Sequence, residues 1–337
     1  MSQNQSENHI QLQFIAHLKR LIPANISLVD ELADLLQVSN DSIYRRIRGE
    51  TLLTLDETYK ICEHFKISID ALTNQKDNKV SFSYNSFLIE NRSFDDYLEM
   101  IYNNLKMIHN MGGHITFAAE DIPIFHQFKL KKMAAFKLFY WQKSILNSKE
   151  LEGKKFDSQY ISEKILNKAE QIFDLYMQIP CTEIWTEETI NSTVKQIEYY
   201  WEAGLFAYPE DAITVCSEMI EMLKNIEQQA EKNSKLIQND NNAAENFNMY
   251  FSEVMIGNNT ILAKTPTGLG TFLSFNTFNV IYTQNPEFST EVEHWIKNHI
   301  KKSVLISGVS EKHRYKFFSA VEKVIKKLKE KIEFEMR

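Results

Sequence analysis

Residues 28–49 read LVDELADLLQVSNDSIYRRIRG, and no other stretch of the 337-residue chain narrows the fold as far. Leu28, Leu32, Leu35 and Leu36 share one stripe of a short helix. Ala33 lies beside that stripe, small enough for a second helix to cross closely. Val38 plugs the break that follows. Ser39 is placed to cap a second helix, because its hydroxyl can accept an orphan amide hydrogen, and Asp41 sits in the first turn where the helix dipole favours negative charge. Ile43 and Ile47, four apart, turn inward and leave Asn40, Ser42, Tyr44, Arg45 and Arg48 facing out. The helix ends in three arginines, Arg45, Arg46 and Arg48, and stops at Gly49, as a glycine just past a helix end does.

Two short helices with a tight break and a cationic second helix form the layout in which one helix braces a phosphate backbone and the next enters a major groove. The spacing of Ala33, Ile43 and Gly49 resembles the lambda-repressor/Cro-like (XRE-type) helix-turn-helix family, and Leu52–Leu72 continues the likeness with Leu55, Ile61, Phe65, Ile67 and Leu72 as core. One departure is plain: the family usually has glycine at the turn, and this chain has Gln37, which must then take a positive φ as a non-glycine residue. The resemblance covers residues 10–73. It implies a five-helix head, a double-stranded DNA partner and a surface made by Ser39, Asn40, Ser42, Tyr44, Arg45, Arg46 and Arg48. Within that set Asn40, Tyr44 and Arg45 are assigned to base edges, by the paired donors and acceptors of such side chains, and Arg46 and Arg48 to phosphates.

Charge does not lead to the same place. Residues 1–73 hold seven Lys/Arg against ten Asp/Glu, a balance of −3, and the whole chain carries −7. A basic domain is the usual footprint of a nucleic-acid binder. The rival reading is therefore a protein-binding head that never meets DNA; the acidic balance favours it, and the arginine cluster on one helix disfavours it. Indiscriminate binding to nucleic acid is excluded, so contact with DNA should be site-directed and salt-sensitive.

Nine glycines and six prolines in 337 residues argue for a mainly α protein, and 22 Phe with 14 Tyr promise aromatic cores. Thr73–Lys79 (TNQKDNK) breaks the helical pattern, which sets residues 74–79 as a linker and 80–337 as a large, mostly helical effector and dimerisation domain. Helices are expected over Asp95–Met111, stopping at Gly112-Gly113; over Ile124–Leu146, after Pro123; over Ile161–Met177; from Thr186 to near Gly204; and from Pro209 through Ile226. His114–Glu120 alternates as a short strand or extended entry. Glu231–Asn246 reads as an exposed connection. A small β segment near residues 250–283 is predicted as a hairpin turning at Gly257-Asn258-Asn259, then a second turn at Thr265–Gly270 leading to Phe272–Tyr282, for which a buried helix is the competing reading. Helices return over Thr290–His299 and Glu311–Phe334, the last with Phe317, Phe318, Val321, Val324, Ile325, Leu328 and Ile332 on one face and lysines on the other.

No catalytic constellation emerges, and the chain is read as a regulator without enzyme activity or cofactor. His109 and His114, like His294 and His299, are five apart, where a metal-binding helix wants four, so no metal is expected. Cys62, Cys181 and Cys216 are scattered and read as buried thiols of a reducing compartment. Ala203-Gly204 matches a self-cleavage bond of phage-type repressors only as a dipeptide; Gly204 reads as a helix stop. No stretch approaches the length of a membrane span, and the polar start MSQNQSENH is no signal peptide, so a cytoplasmic protein is expected. The expected partners are DNA, a second copy of the chain, and a small-molecule or peptide effector, since a head that acts alone has no use for a body of this size. The aromatic segments Phe125–Trp141 and Phe272–Tyr282 are the candidate pocket walls, with plain core packing as the alternative.

Overall fold

A computed structural model describes residues 9–21, 27–65, 79–84, 86, 93–235 and 246–337. The chain divides into two compact units, Met1–Ser81 and Phe82–Arg337. No described helix is long and apolar enough to cross a membrane.

The first unit contains α1 (His9–Leu21), α2 (Leu28–Leu36), α3 (Asn40–Ile47) and α4 (Leu55–Phe65). One core joins them: Phe14, Ile15 and Leu18 from α1, Leu32 and Ala33 from α2, Ile43 from α3, and Ile61 and Cys62 from α4. Ile67 and Leu72, any fifth helix and most of the 74–79 linker lie outside the described residues. Leu55 is a correction. It is 80% exposed, and Leu53 packs against the core in its place. The reason is the start of α4. Thr54 Oγ1 accepts from Glu57 N–H at 3.2 Å while the Glu57 carboxylate accepts from Thr54 N–H at 2.9 Å. This reciprocal cap fixes Leu55 as the first helical residue.

The second unit is built on an eight-stranded mixed sheet in the order β1-β7-β6-β5-β2-β3-β4-β8. The strands are β1 (Ser83–Tyr84), β2 (His114–Ala119), β3 (Cys181–Trp185), β4 (Phe247–Phe251), β5 (Thr260–Thr265), β6 (Gly268–Phe275), β7 (Asn279–Thr283) and β8 (Val304–Leu305). The helices are α5 (Phe94–Asn110), α6 (Ile124–Gln127), α7 (Lys131–Tyr140), α8 (Glu163–Gln178), α9 (Asn191–Glu202), α10 (Pro209–Glu231), α11 (Pro286–Ile300) and α12 (Glu311–Glu335). Three adjacent strands, β2-β3-β4, pair in parallel, each step crossing over through helices. On one side β5-β6-β7 form an antiparallel meander edged by β1, and on the other β8 pairs antiparallel with β4.

Period-two alternation distributes the strands between two cores. Ile115, Phe117 and Ala119 of β2, with Cys181 and Trp185 of β3, face the large aromatic core; Ala118 and Ile184 face a smaller one with Leu262 and Ile296 of α11. Gly112 and Gly113 do end α5. A Cβ on Gly113 would meet Ile108 at 2.8 Å, so only glycine lets the chain turn there into β2.

Two expectations need revision. The hairpin about Gly257-Asn258-Asn259 does not form, because β4 pairs with β3 and β8, and β5 pairs with β2 and β6. The strand reading of Phe272–Tyr282 holds, as two strands turning at Asn276 and Thr277 in the left-handed region, and its helical competitor falls. The helix expected over Ile124–Leu146 is broken into α6, α7 and a wider turn over Trp141–Ile145, where Leu146 N–H donates to the Trp141 carbonyl at 3.0 Å. Strand β3 carried no signal, because all five of its residues are buried and the alternation is lost.

Candidate functional sites

The surface assigned to DNA from sequence begins with the turn. Gln37 takes φ 55 and ψ 46, the left-handed conformation that glycine supplies in the family, and both its N–H and that of Val38 donate to the Ala33 carbonyl. The turn is thus kept without the glycine. Ser39 caps α3, its hydroxyl accepting from Ser42 N–H at 3.4 Å. At the far end Gly49 has φ 75, with Gly49 N–H donating to Arg46 O and Glu50 N–H to Arg45 O. That pair of bonds is the double closure of a helix by a left-handed residue. Ile43 is fully buried, which sets the rotation of α3.

With the helix fixed, its outer face can be read. Tyr44 is 49% exposed, and the Arg45 and Arg48 side chains are 57% and 54% exposed. Asn40 is exposed and donates from Nδ2 to Asp30 Oδ1 at 2.9 Å, which ties the start of α3 to α2. Arg48 donates to both oxygens of Glu50, at 2.6 and 3.0 Å. This bond raises the Arg48 guanidinium above its ordinary range and, with charge from Arg45 added, holds the Glu50 carboxyl below its own.

Arg46 stands apart from its neighbours. Its side chain is 13% exposed and donates Nη2 to Glu57 Oε1 at 2.7 Å and Nε to Glu57 Oε2 at 3.3 Å. A further bond runs from Nη1 to the Ser42 carbonyl, with the Ser42 hydroxyl also in contact. Arg46 and Ser42, both assigned to the DNA surface from sequence, are therefore engaged with each other and with α4. Burial pushes the Glu57 carboxyl up, but Arg46 and the Thr54 donors outweigh it and leave it below its ordinary value. Gln11 completes the bracket, donating to the carbonyls of Arg46 (2.7 Å) and Thr51 (2.9 Å) and accepting from Leu53 N–H (2.8 Å). Nothing in the sequence of α1 marked Gln11. The Thr54–Glu57 spacing could have flagged Glu57 as a capping residue.

Two sites occupy the second unit. A cavity of about 130 Å³ lies between α5 and the strands β2, β5, β6 and β7, and both aromatic segments singled out from sequence reach it, through Phe125 and Trp141 and through Phe272 and Phe278. At its edge Lys137, 2% exposed, pairs with Asp121 at 3.3 Å and donates to Thr193 and Gln196. Elsewhere Glu183, fully buried on β3, accepts from Tyr176 Oη (2.7 Å) and Trp185 Nε1 (2.8 Å) and bonds His126 Nε2 (2.8 Å). Burial pushes the Glu183 carboxyl up; His126, Lys235 and Tyr176 together bring it below the ordinary range. Neither Lys137 nor Glu183 was anticipated, each being a single charge inside an apolar run.

Among the described residues no cluster of three or more His, Cys, Asp or Glu is gathered for a metal. Cys62, Cys181 and Cys216 are free and buried, and Gly204 ends α9 with φ 63. Among curated proteins and among solved structures nothing matches the chain. Residues 18–72 do match the helix-turn-helix family. The match is consistent with the lambda-repressor/Cro-like (XRE) type, and this segment of the chain is the helix-turn-helix domain of a DNA-binding regulator in general.

Proposed function

We propose that the chain is a sequence-specific, non-catalytic transcriptional regulator of the cytoplasm, docking α3 in the major groove of double-stranded DNA as a homodimer. The observation that carries this reading is the outer face of α3: a helix capped at both ends that exposes Tyr44, Arg45 and Arg48 together. An exposed arginine on such a helix, held only by a solvent-exposed carboxylate, is suited to the bidentate acceptors of guanine. A single helix reads only one half-site, and two copies related by a twofold axis read a palindrome, which is the argument for the dimer.

Residues 82–337 act in this reading as the dimerisation and effector domain. The cavity against α5 supports a small-molecule effector, because a largely apolar cavity with a few polar groups in its wall is the ordinary form of such a site.

The test is Arg45→Ala in the full chain. Specific DNA affinity should fall by about 1–3 kcal/mol in a gel-shift titration, with discrimination relaxed at one base pair. Scattering on the complex should give two chains per operator. Unchanged affinity would remove Arg45 from the interface, and one chain per operator would remove the dimer.

A further inference from the structure

The connection from α3 to α4 carries two charges of the outer face, Arg48 and Glu50, yet from Arg48 to Thr54 it has no helix or strand of its own. Such a segment is as rigid as the bonds that tie it to packed elements. Its start is closed locally, with Arg48 N–H donating to Tyr44 O, Gly49 N–H to Arg46 O and Glu50 N–H to Arg45 O. Its end is closed by the reciprocal cap of Thr54 and Glu57.

Between those ends the tie comes from α1. Gln11 Nε2 donates to Arg46 O at 2.7 Å and to Thr51 O at 2.9 Å, while Oε1 accepts from Leu53 N–H at 2.8 Å. One side-chain head therefore grips the chain before and after Arg48 and Glu50. A carboxamide suits the task, because it offers two donors and an acceptor from one planar group; a carboxylate only accepts, and an ammonium or guanidinium only donates. The Arg46 carbonyl is one of those that a helix end leaves without an intrahelical partner, so the grip reaches α3 itself. Gln11 is 9% exposed and precedes the residues 18–72 that match the helix-turn-helix family.

The grip governs Arg48. Its side chain is 54% exposed, and the carboxylate that holds it, Glu50, lies inside the same bracketed segment. A long side chain on a fixed backbone pays less ordering cost in meeting a phosphate than one on a mobile backbone. Resting on the reading that α3 docks on DNA, we propose that Gln11 is a positioning residue for that docking: through the backbone of Arg46, Thr51 and Leu53 it holds Arg48 where the guanidinium meets a phosphate. Gln11 acts without touching DNA itself.

The experiment titrates operator and unrelated DNA against salt with the full chain as wild type, Gln11→Met, Arg48→Ala and the double variant, at a temperature where melting curves show all four folded. Methionine nearly matches the shape of glutamine and removes all three bonds. Gln11→Met should weaken binding to both DNAs alike, by about fivefold at low salt, and lower the salt slope by about one phosphate contact. In the Arg48→Ala background the same substitution should cost less than about twofold, because the group it places is gone. A residue that serves only the stability of the head moves neither quantity once the molecules are folded, so an unchanged slope overturns the proposal. So does an equal loss in both backgrounds. Should Gln11→Met fail to fold, Gln11→Glu, which keeps the acceptor for Leu53 N–H and gives up both donors, replaces it in the same cycle. Arg48→Ala without effect on affinity or slope, where Arg45→Ala still weakens binding, sinks this proposal and leaves the docking of α3 standing; no effect from either arginine sinks the docking as well.

Discussion

Replacing Arg46 with methionine separates two roles that one arginine in the RRIR cluster could have. Methionine keeps an apolar stem against α4 and removes the guanidinium. In the structure that group makes a two-point bond to Glu57, with the paired side chains 13% and 18% exposed. Exposed ion pairs are worth at most about 1 kcal/mol, while hydrogen bonds to charged groups shielded from water reach about 1.5–3 kcal/mol. The pair is mostly shielded, so about 1.5–2 kcal/mol of head stability should go. For a domain of this size that is a fall of about 6–15 °C in its melting temperature. Hydrogen exchange on the full chain resolves the effect, as lost protection in α3 and α4. The effect should also depend on pH, with a definite sign. The Glu57 carboxyl sits below its ordinary value in the folded head. The contribution of the pair is therefore complete above about pH 4.3, the unfolded value for a glutamate, and is lost as pH falls through the lower folded value. The variant and wild type should converge in acid. If protection at pH 7 is unchanged while the salt dependence of DNA binding drops by about one counterion, Arg46 is a phosphate contact and the bracket reasoning is wrong.

Glu50→Gln should tighten operator binding by about two- to fivefold at low salt, because it releases Arg48 from an exposed pair worth no more than that and removes a carboxylate from the docking face; equal or weaker binding would take Arg48 out of the interface. Glu183→Ala should destabilise the second unit by about 3–5 kcal/mol, since it strands the His126, Tyr176 and Trp185 groups that now converge on one carboxylate; a melting temperature within 2 °C of wild type, on the order of 0.5 kcal/mol, would contradict that account.

What the sequence disclosed tracks how local the physics is. Caps, the Gly49 stop and the Ile43–Ile47 stripe depend on residues within one or two turns, and each is found in the structure where the pattern put it. The helices of the second unit were legible for the same reason. The sheet was not, because strand pairing is a long-range decision. His114 and Cys181 lie in neighbouring parallel strands although residues 120–180 separate β2 from β3. Side-chain roles set by distant partners were equally hidden. Arg46 looks like its neighbours in sequence and differs only because Glu57 folds back onto it. Gln11 matters because it meets the end of α3. The aromatic segments, in contrast, could be named as pocket walls.

A head carrying a balance of −3 poses the remaining question, and the structure shows why the sum is the wrong quantity. Several of the acids that make it negative already have partners: Glu57 holds Arg46, Glu31 holds His64 at 3.0 Å, and Asp30 holds Asn40. At physiological salt a charge is screened within about 8 Å, so carboxylates away from α3 do little to a phosphate at its outer face. On the proposed reading what DNA meets first is the local set, Arg45 and Arg48 against Glu50 and Asp41. On the proposed reading the acid at Asp30 also serves recognition. An asparagine amide has two N–H donors and one carbonyl acceptor, and the bond to Asp30 uses one donor while fixing the plane of the group. The donor and acceptor that remain are the pair that reads the N7 and N6 edge of adenine. On the proposed reading one acid, Asp30, orients a reader of sequence, Asn40, and part of the count that argues against DNA binding belongs to a group that prepares it.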